Sequence, residues 1–128
     1  MRFVESHYGG KQCWIIDEWS AHGFVHSFLG AAVDVRVDPT AFESLAVQGA
    51  PFTELQTLRQ VHGTSVIEAE PRSGGVEGDA WFVDLEAEAL SGIAFGIRTA
   101  DCLPVILRAR TAPFASGVHS GWRGSVDR

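Results

Sequence analysis

Apolar and polar side chains alternate along most of this chain. Val33, Val35 and Val37 interleave with Asp34, Arg36 and Asp38, the period-two pattern of a strand with one face on a core and the other in water. Ile93, Phe95 and Ile97 alternate in the same way with Ala94, Gly96 and Arg98. In the run 114–119, Phe114, Ser116 and Val118 share one side, which puts His119 on the opposite side with Ala115 and Gly117. The runs CWIID (13–17) and PVILRAR (104–110) also predict strands. Pro104 falls at a strand start, where its missing N–H is tolerated. Helical signals are fewer. Asp38-Pro39 reads as an N-cap followed by a proline at N1, and Gly49 as the residue past the end, which predicts a helix over 39–48. Asp84 to Leu90 predicts a short second helix, and PRSGGVEG (71–78) a loop by composition. The expected fold class is α+β: mostly β, with mixed sheets and few helices, and with residues 1–128 forming a single domain.

Composition narrows the function classes. A chain of 128 residues that is 45% hydrophobic has enough apolar surface to build one core. Ten Lys and Arg against 16 Asp and Glu give a net charge of −6. Such a chain gains no counterion-release affinity for a phosphate backbone, so no nucleic-acid partner is expected. No segment is long and apolar enough to span a bilayer, and MRFVESHYGG at the start lacks the apolar stretch of a signal peptide. Cys13 and Cys102 make no disulfide framework and are expected to be reduced thiols. Together these features predict a cytoplasmic protein without a membrane partner.

Three residues stand out chemically: His62 in RQVHGTSV, Cys102 in RTADCLPV and His119 in SGVHSGWRG. Each lies at the end of an apolar strand-like run beside a glycine, proline or other small residue, where a fold can turn a side chain into a cleft. Imidazole and thiolate are ligands that zinc prefers, and three protein ligands leave a fourth position open, as in catalytic rather than structural zinc sites. The spacing does not by itself select this reading. The intervals are 40 and 17 positions, unlike the short chelates of common zinc motifs. On residue type alone, a buried inert cysteine and two hydrogen-bonded histidines fit better. His22 and His26 would chelate only on a helix, and Gly23 with its β-forming neighbours predicts a strand and a structural role. Trp14, Trp19 and Trp81 are expected as core or edge aromatics.

The runs QVHG (60–63), GDA (78–80), TADCLPV (99–105) and HSGWRG (119–124) occur in one order. Together they resemble the YfiH-type laccase-domain family, whose members read Q-V-H-G, then D-A, T-A-D-C-x-P and H-A-G-W-R-G. The resemblance covers about residues 54–128, and His22-Gly23-Phe24 is similar to the start of the family's N-terminal motif. It implies that His62, Cys102 and His119 bind zinc, on an α+β fold grouped with cysteine-hydrolase-like toxin domains. It also implies phosphorolysis of adenosine, inosine and methylthioadenosine, with adenosine deamination, so that nucleoside and phosphate are the small-molecule partners. The family domain is roughly twice this length, so the chain is expected to be the N-terminal part of a longer protein. As a fragment it is expected to be less stable than the whole and inactive alone. Ser27 stands where similar proteins carry an arginine, and Ser120 where they carry alanine.

Around the three residues, several side chains have both a functional and a plain reading. Asp101 either orients a ligand as a hydrogen-bond acceptor or ends a strand as a solvated carboxylate. Asp79 has the same two readings, and its place in a glycine loop beside a family motif favours a functional one, as a ligand-orienting acceptor or a substrate contact. Arg123, between Trp122 and Gly124, offers phosphate a planar fork, reinforced by backbone amides if a helix starts there, or it simply packs on Trp122. Gln60 either hydrogen-bonds a base or occupies a strand. Three other functions compete with the zinc enzyme. A laccase-like copper oxidase needs His-x-His pairs, and this chain has five histidines and none of those pairs. Its only methionine is Met1, which argues against a blue-copper site with an axial Met. A metal-free hydrolase would use Cys102 as nucleophile and His119 as base, leaving His62 unused. An inactive zinc-binding fragment is the fourth.

Overall fold

The computed structural model describes residues 1–8, 11–30 and 52–126. The strand expected at 33–37 and the helix expected over 39–48 lie outside them. The chain divides into two compact units, residues 1–54 and 55–128. Among the described residues, short strands in mixed sheets dominate and only two short helices form, so the fold is α+β and largely β.

In the first unit, β1 (Phe3–Tyr8) pairs antiparallel with β2 (Lys11–Ile16), which pairs antiparallel with β3 (Phe28–Leu29). The predicted strand 13–17 is therefore found, except that Asp17 opens a one-turn helix, α1 (Asp17–Ala21). Its carboxylate suits a helix N-terminus. Cys13 and Ile16 are buried, and Phe3 meets Phe28 edge-on at 5.4 Å. His22 caps the end of α1 in the open, whereas His26 is buried, so the two do not form a chelate. Residues 24–27 belong to no strand. The His26 ring stacks on Phe24 at 5.2 Å and meets Trp19 edge-on at 5.3 Å. Its two nitrogens have opposite duties. Nε2 accepts the Ile16 N–H at 2.8 Å, so Nδ1 carries the proton and donates it to the Phe24 carbonyl at 2.9 Å. Ser27, the residue in the position of the family's arginine, has a buried hydroxyl without a partner among the described residues.

The second unit holds β4 (Glu54–Thr57), β5 (Val66–Glu68), β6 (Ala80–Asp84), β7 (Ile93–Gly96), β8 (Leu103–Arg108), β9 (Phe114–Ser120) and the helix α2 (Trp122–Val126). β4 lies beside β7, and a four-stranded sheet runs in the order β5-β6-β9-β8. Its β5–β6 pair is parallel and the other two pairs are antiparallel. Leu58, Ala69 and Trp81 form the core, with Ile67, Val83, Leu90, Phe95 and Ile97 packed against it. Trp81 is wholly buried, meets Phe95 edge-on at 5.0 Å and satisfies its indole N–H on the Gly96 carbonyl. The Asp84–Leu90 helix is shorter than its sequence predicts. Asp84 stays in β6 and accepts the Glu86 N–H, closing a turn, and only Glu88–Leu90 is helical, as a single 3₁₀ turn. Asp favours such local bonds over helix interiors. On β9 the buried positions are Ala115 and His119. The opposite side carries Phe114, which pairs with the partly exposed Phe82 at 5.1 Å. On the His119 side, a Cβ added at Gly117 would lie 3.4 Å from the Ile97 side chain.

Burial holds His26 below its usual value of 6.5, outweighing the contact with the Phe24 carbonyl that favours the cation. Unfolding restores the ordinary value, so the unfolded chain takes up a proton first as the pH falls. The stability contributed by neutral His26 is therefore complete above about pH 6.5 and lost progressively below it. In thermal melts, His26→Leu is expected to lose about 1–3 kcal/mol near neutrality, because Ile16 N–H is left without an acceptor. It should also lose this component of acid sensitivity. Equal pH slopes for wild type and variant between about pH 7.5 and 5.5 would contradict the account.

Candidate metal centre

Three separated segments of the second unit bring His62, Cys102 and His119 together. His62 follows β4, Cys102 precedes β8 and His119 lies near the end of β9. One donor atom from each, an imidazole nitrogen or the thiol sulfur, lies within 4.8 Å of the other two. The two imidazole rings meet at 4.7 Å and near right angles. His119 is buried, Cys102 half-buried and His62 exposed, so the cluster opens to solvent on the His62 side.

Sheet register explains two of these placements. Ala80 pairs with Val118, which brings Asp79 opposite His119, and the His119 N–H donates to the Asp79 carbonyl at 2.8 Å. On the other side of β9, Leu103 pairs with Ser120, so Cys102 falls opposite Gly121. A Cβ added at Gly121 would lie 3.6 Å from the Cys102 sulfur and 3.0 Å from the His62 ring. Glycine there leaves room for both side chains. Gly124 is tighter still, because a Cβ there would run into the carbonyl oxygen of Gly63.

Asp79 ties the cluster to the backbone. It is 2% exposed. Its Oδ1 accepts the His62 N–H at 2.9 Å and the His119 Nδ1–H at 2.8 Å, while Oδ2 accepts the Gly63 N–H at 2.8 Å and the Val61 N–H at 3.3 Å. Burial by itself would raise this carboxyl's pKa. The bonds from His119 and the three backbone amides overcome that and hold it below the usual range. Among the described residues His62 is the sole non-glycine with positive φ, at 60°, a conformation that costs of order 1–3 kcal/mol. Three consecutive N–H groups converging on one carboxylate compensate for it.

The other candidates sit nearby with different duties. Gln60 grips the backbone of Arg98 at two points: its Nε2–H donates to the carbonyl at 2.7 Å, and its Oε1 accepts the N–H at 2.9 Å. That joins the His62 segment to the segment leading to Cys102. Asp101 meets the thiol rather than a histidine, at 3.8 Å. Burial, the Asp101 charge and this contact together push the Cys102 thiol pKa up. Arg123 is exposed, its guanidinium 5.4 Å from the centre of the Trp122 ring. α2, which starts at Trp122, is a single turn. What the sequence does not supply is the partner of Asp79, His119, 40 positions away, which no local motif signals.

The donor set fits a borderline-soft divalent cation. Two imidazoles and one thiol supply nitrogen and sulfur, and His119 keeps Nε2 basic because Nδ1–H is held by Asp79. The carboxylates of Asp79 and Asp101 add negative charge beside the donors, which a cation offsets. The three donor atoms, all within 4.8 Å of one another, are close enough for His62, Cys102 and His119 to hold one such ion between them. The same ion reverses the sign of the thiol's environment, since a coordinating thiol is deprotonated.

The sequence profile described as multi-copper polyphenol oxidoreductase laccase matches residues 35–128. Among curated relatives, a purine nucleoside phosphorylase of Pseudomonas aeruginosa is 39% identical over 98 residues, covering 75% of this chain and 37% of its own length. A purine nucleoside phosphorylase of Deinococcus radiodurans is 36% identical over 83 residues, covering 65% of this chain and 30% of its own. An adenosine deaminase from an unknown prokaryotic organism is 34% identical over 91 residues, covering 66% and 35%. The chain thus spans about a third of the length of these relatives.

Gly124→Ala tests the packing of α2 on the His62 segment. Helix propensity alone would favour alanine by about 1 kcal/mol. The contact with Gly63 is to backbone, which cannot step aside, and overpacking of this kind costs about 1–3 kcal/mol. The variant is therefore expected to melt lower than wild type. Gly74→Ala, where a Cβ meets only the Gln56 side chain at 3.6 Å, should be near neutral. A Gly124→Ala chain as stable as wild type would contradict this packing.

Proposed function

The chain belongs to the multi-copper polyphenol oxidoreductase laccase family, and from that premise we propose that it forms the zinc centre of a purine nucleoside phosphorylase. Adenosine, inosine and methylthioadenosine are the substrates, and adenosine deamination is a second activity. The carrying observation is the convergence of His62, Cys102 and His119 donors within 4.8 Å on a solvent-open cluster. Relatives named as purine nucleoside phosphorylases and an adenosine deaminase support the substrate class. Zinc is favoured over copper by the donor set. Among the described residues one three-donor group forms, where several copper ions would need more. Met1, the only methionine, is 84% exposed and no axial ligand.

When bound, the zinc would act as a Lewis acid at the substrate. The chain's own residues divide the remaining work. His119, buried and anchored on Asp79, fixes the inner side of the centre, and exposed His62 marks the side from which a nucleoside enters. Asp101, beside the thiol and exposed to water, is placed to exchange protons near the reacting group. Arg123 presents a charged fork to phosphate. Gln60 and Asp79, whose polar atoms already bond backbone and His119, act by positioning rather than by touching substrate.

Purified protein is expected to carry about one zinc per chain, and His62→Ala, Cys102→Ala and His119→Ala each to lose it in elemental analysis. Full zinc in all three variants would remove the site. Assays on the longer protein should release base from adenosine or inosine only with phosphate present, and should convert adenosine slowly to inosine. Neither reaction appearing with zinc bound would end this reading.

Cys102 is expected to act as ligand rather than nucleophile. A ligand thiolate is shielded until a chelator strips the metal, whereas the nucleophile of a Cys–His pair reacts equally in both conditions. Iodoacetamide should therefore label Cys102 faster after chelation. Rapid labelling of zinc-loaded protein, unchanged by chelator and by His62→Ala, would favour the metal-free hydrolase.

A further inference from the structure

We propose that Asp79 is a positioning residue that presets both histidines before any metal arrives. It would fix His119 in its Nδ1–H tautomer and hold His62 in the left-handed turn. The proposal deepens the metal-centre reading and rests on it for its link to metal affinity. It starts from how the four donors divide. Oδ1 takes the His62 N–H and the His119 Nδ1–H, and Oδ2 takes the Val61 and Gly63 N–H groups. Each oxygen therefore serves two donors.

The division makes the carboxylate hard to replace. An asparagine has one acceptor oxygen, and its NH2 would face two N–H donors whichever way the amide turned. One orientation abandons His62 N–H and His119 Nδ1–H together, and the other abandons both flanks of the His62 turn. Imidazole adopts whichever tautomer its partners select, and with Nδ1–H held by Asp79, Nε2 remains the basic nitrogen. The backbone at His62, φ 60°, is unfavourable for a residue with a Cβ. The same carboxylate that orders one ligand's ring thus bends the other ligand's backbone. Because Asp79 is 2% exposed, water is a poor substitute for these bonds.

The test begins with the wild-type 128-residue chain, ¹⁵N-labelled and stripped of metal. Long-range ¹H–¹⁵N correlation at His119 is expected to show the proton on Nδ1. A mixture of tautomers would overturn the proposal without any variant, so it stays testable even if Asp79→Asn fails to fold. In folded Asp79→Asn, either the amide turns its NH2 to the ring and His119 leaves the single Nδ1–H state, or it keeps its oxygen there and the Val61 and Gly63 amides lose their protection from hydrogen exchange. In both cases zinc affinity, measured by competition with a chromophoric chelator, should fall 10–100-fold. Unchanged affinity, or neither of the two changes, would overturn it. Gln60→Ala removes the other brace and should leave the His119 tautomer intact. Loss of the tautomer there would assign the locking to the fold at large and also overturn the proposal. Wild type that binds no zinc would refute the metal-centre reading, while the tautomer of the metal-free chain would still judge the role of Asp79.

Discussion

A carboxylate buried at the start of β6 must find donors, and the four that Asp79 finds belong to the two segments that carry His62 and His119. Burying a charge is tolerated only when it is paired and fully hydrogen-bonded. That requirement acts as a clamp. The His62 turn and the end of β9 cannot separate without stranding the charge, and the charge cannot move into water without releasing both. Asp79 lies one residue before β6 and opposite His119, so the clamp is anchored at the end of the sheet.

The rest of the second unit supports this arrangement in layers. Trp81, two residues beyond Asp79, fills the core and seals it with an indole hydrogen bond to Gly96. β9 lies between β6 and β8 in the four-stranded sheet, so the most buried residue of the cluster, His119, comes from an inner strand, whereas His62 and Cys102 come from the connections. Rigid strands fix the inner side of a site while connecting segments present the groups that face solvent. Gln60, by holding the Arg98 backbone at both its N–H and its carbonyl, gives the Cys102 segment the anchorage that it lacks as a loop.

Electrostatics at the cluster bear on its chemistry. With Asp101 beside it and partial burial around it, the Cys102 thiol is held toward its protonated form, the opposite of what a free catalytic cysteine needs. A cation among the three donors turns this disadvantage into binding strength, because the surrounding negative charge then favours the ion. The local charge and the choice of nitrogen and sulfur donors are thus consistent with each other, and with the family's association with metals.

How much was legible in the sequence follows from the range of the forces involved. Apolar runs located the strands around 13–17 and 104–110, and alternation located those around 93–97 and 114–119, because side-chain direction in a strand depends only on its neighbours. Alternation put His119 on the side of Ala115 and Gly117, and the structure buries that side. The motifs QVHG, TADCLPV and HSGWRG singled out the three residues whose donor atoms the structure brings within 4.8 Å of one another. Chain-local reasoning erred where side chains answered to local bonds, as at Asp84, which closes a turn instead of opening a helix. It left open whether Gln60 contacts a base or occupies a strand, and whether Asp79 and Asp101 orient a ligand. Only tertiary structure decided that Asp79 holds His119 across 40 positions and that Gln60 holds Arg98 across 38. Strand register and burial create these partnerships. They have no period in the sequence, because a buried polar group is satisfied by whatever the fold brings within about 3 Å.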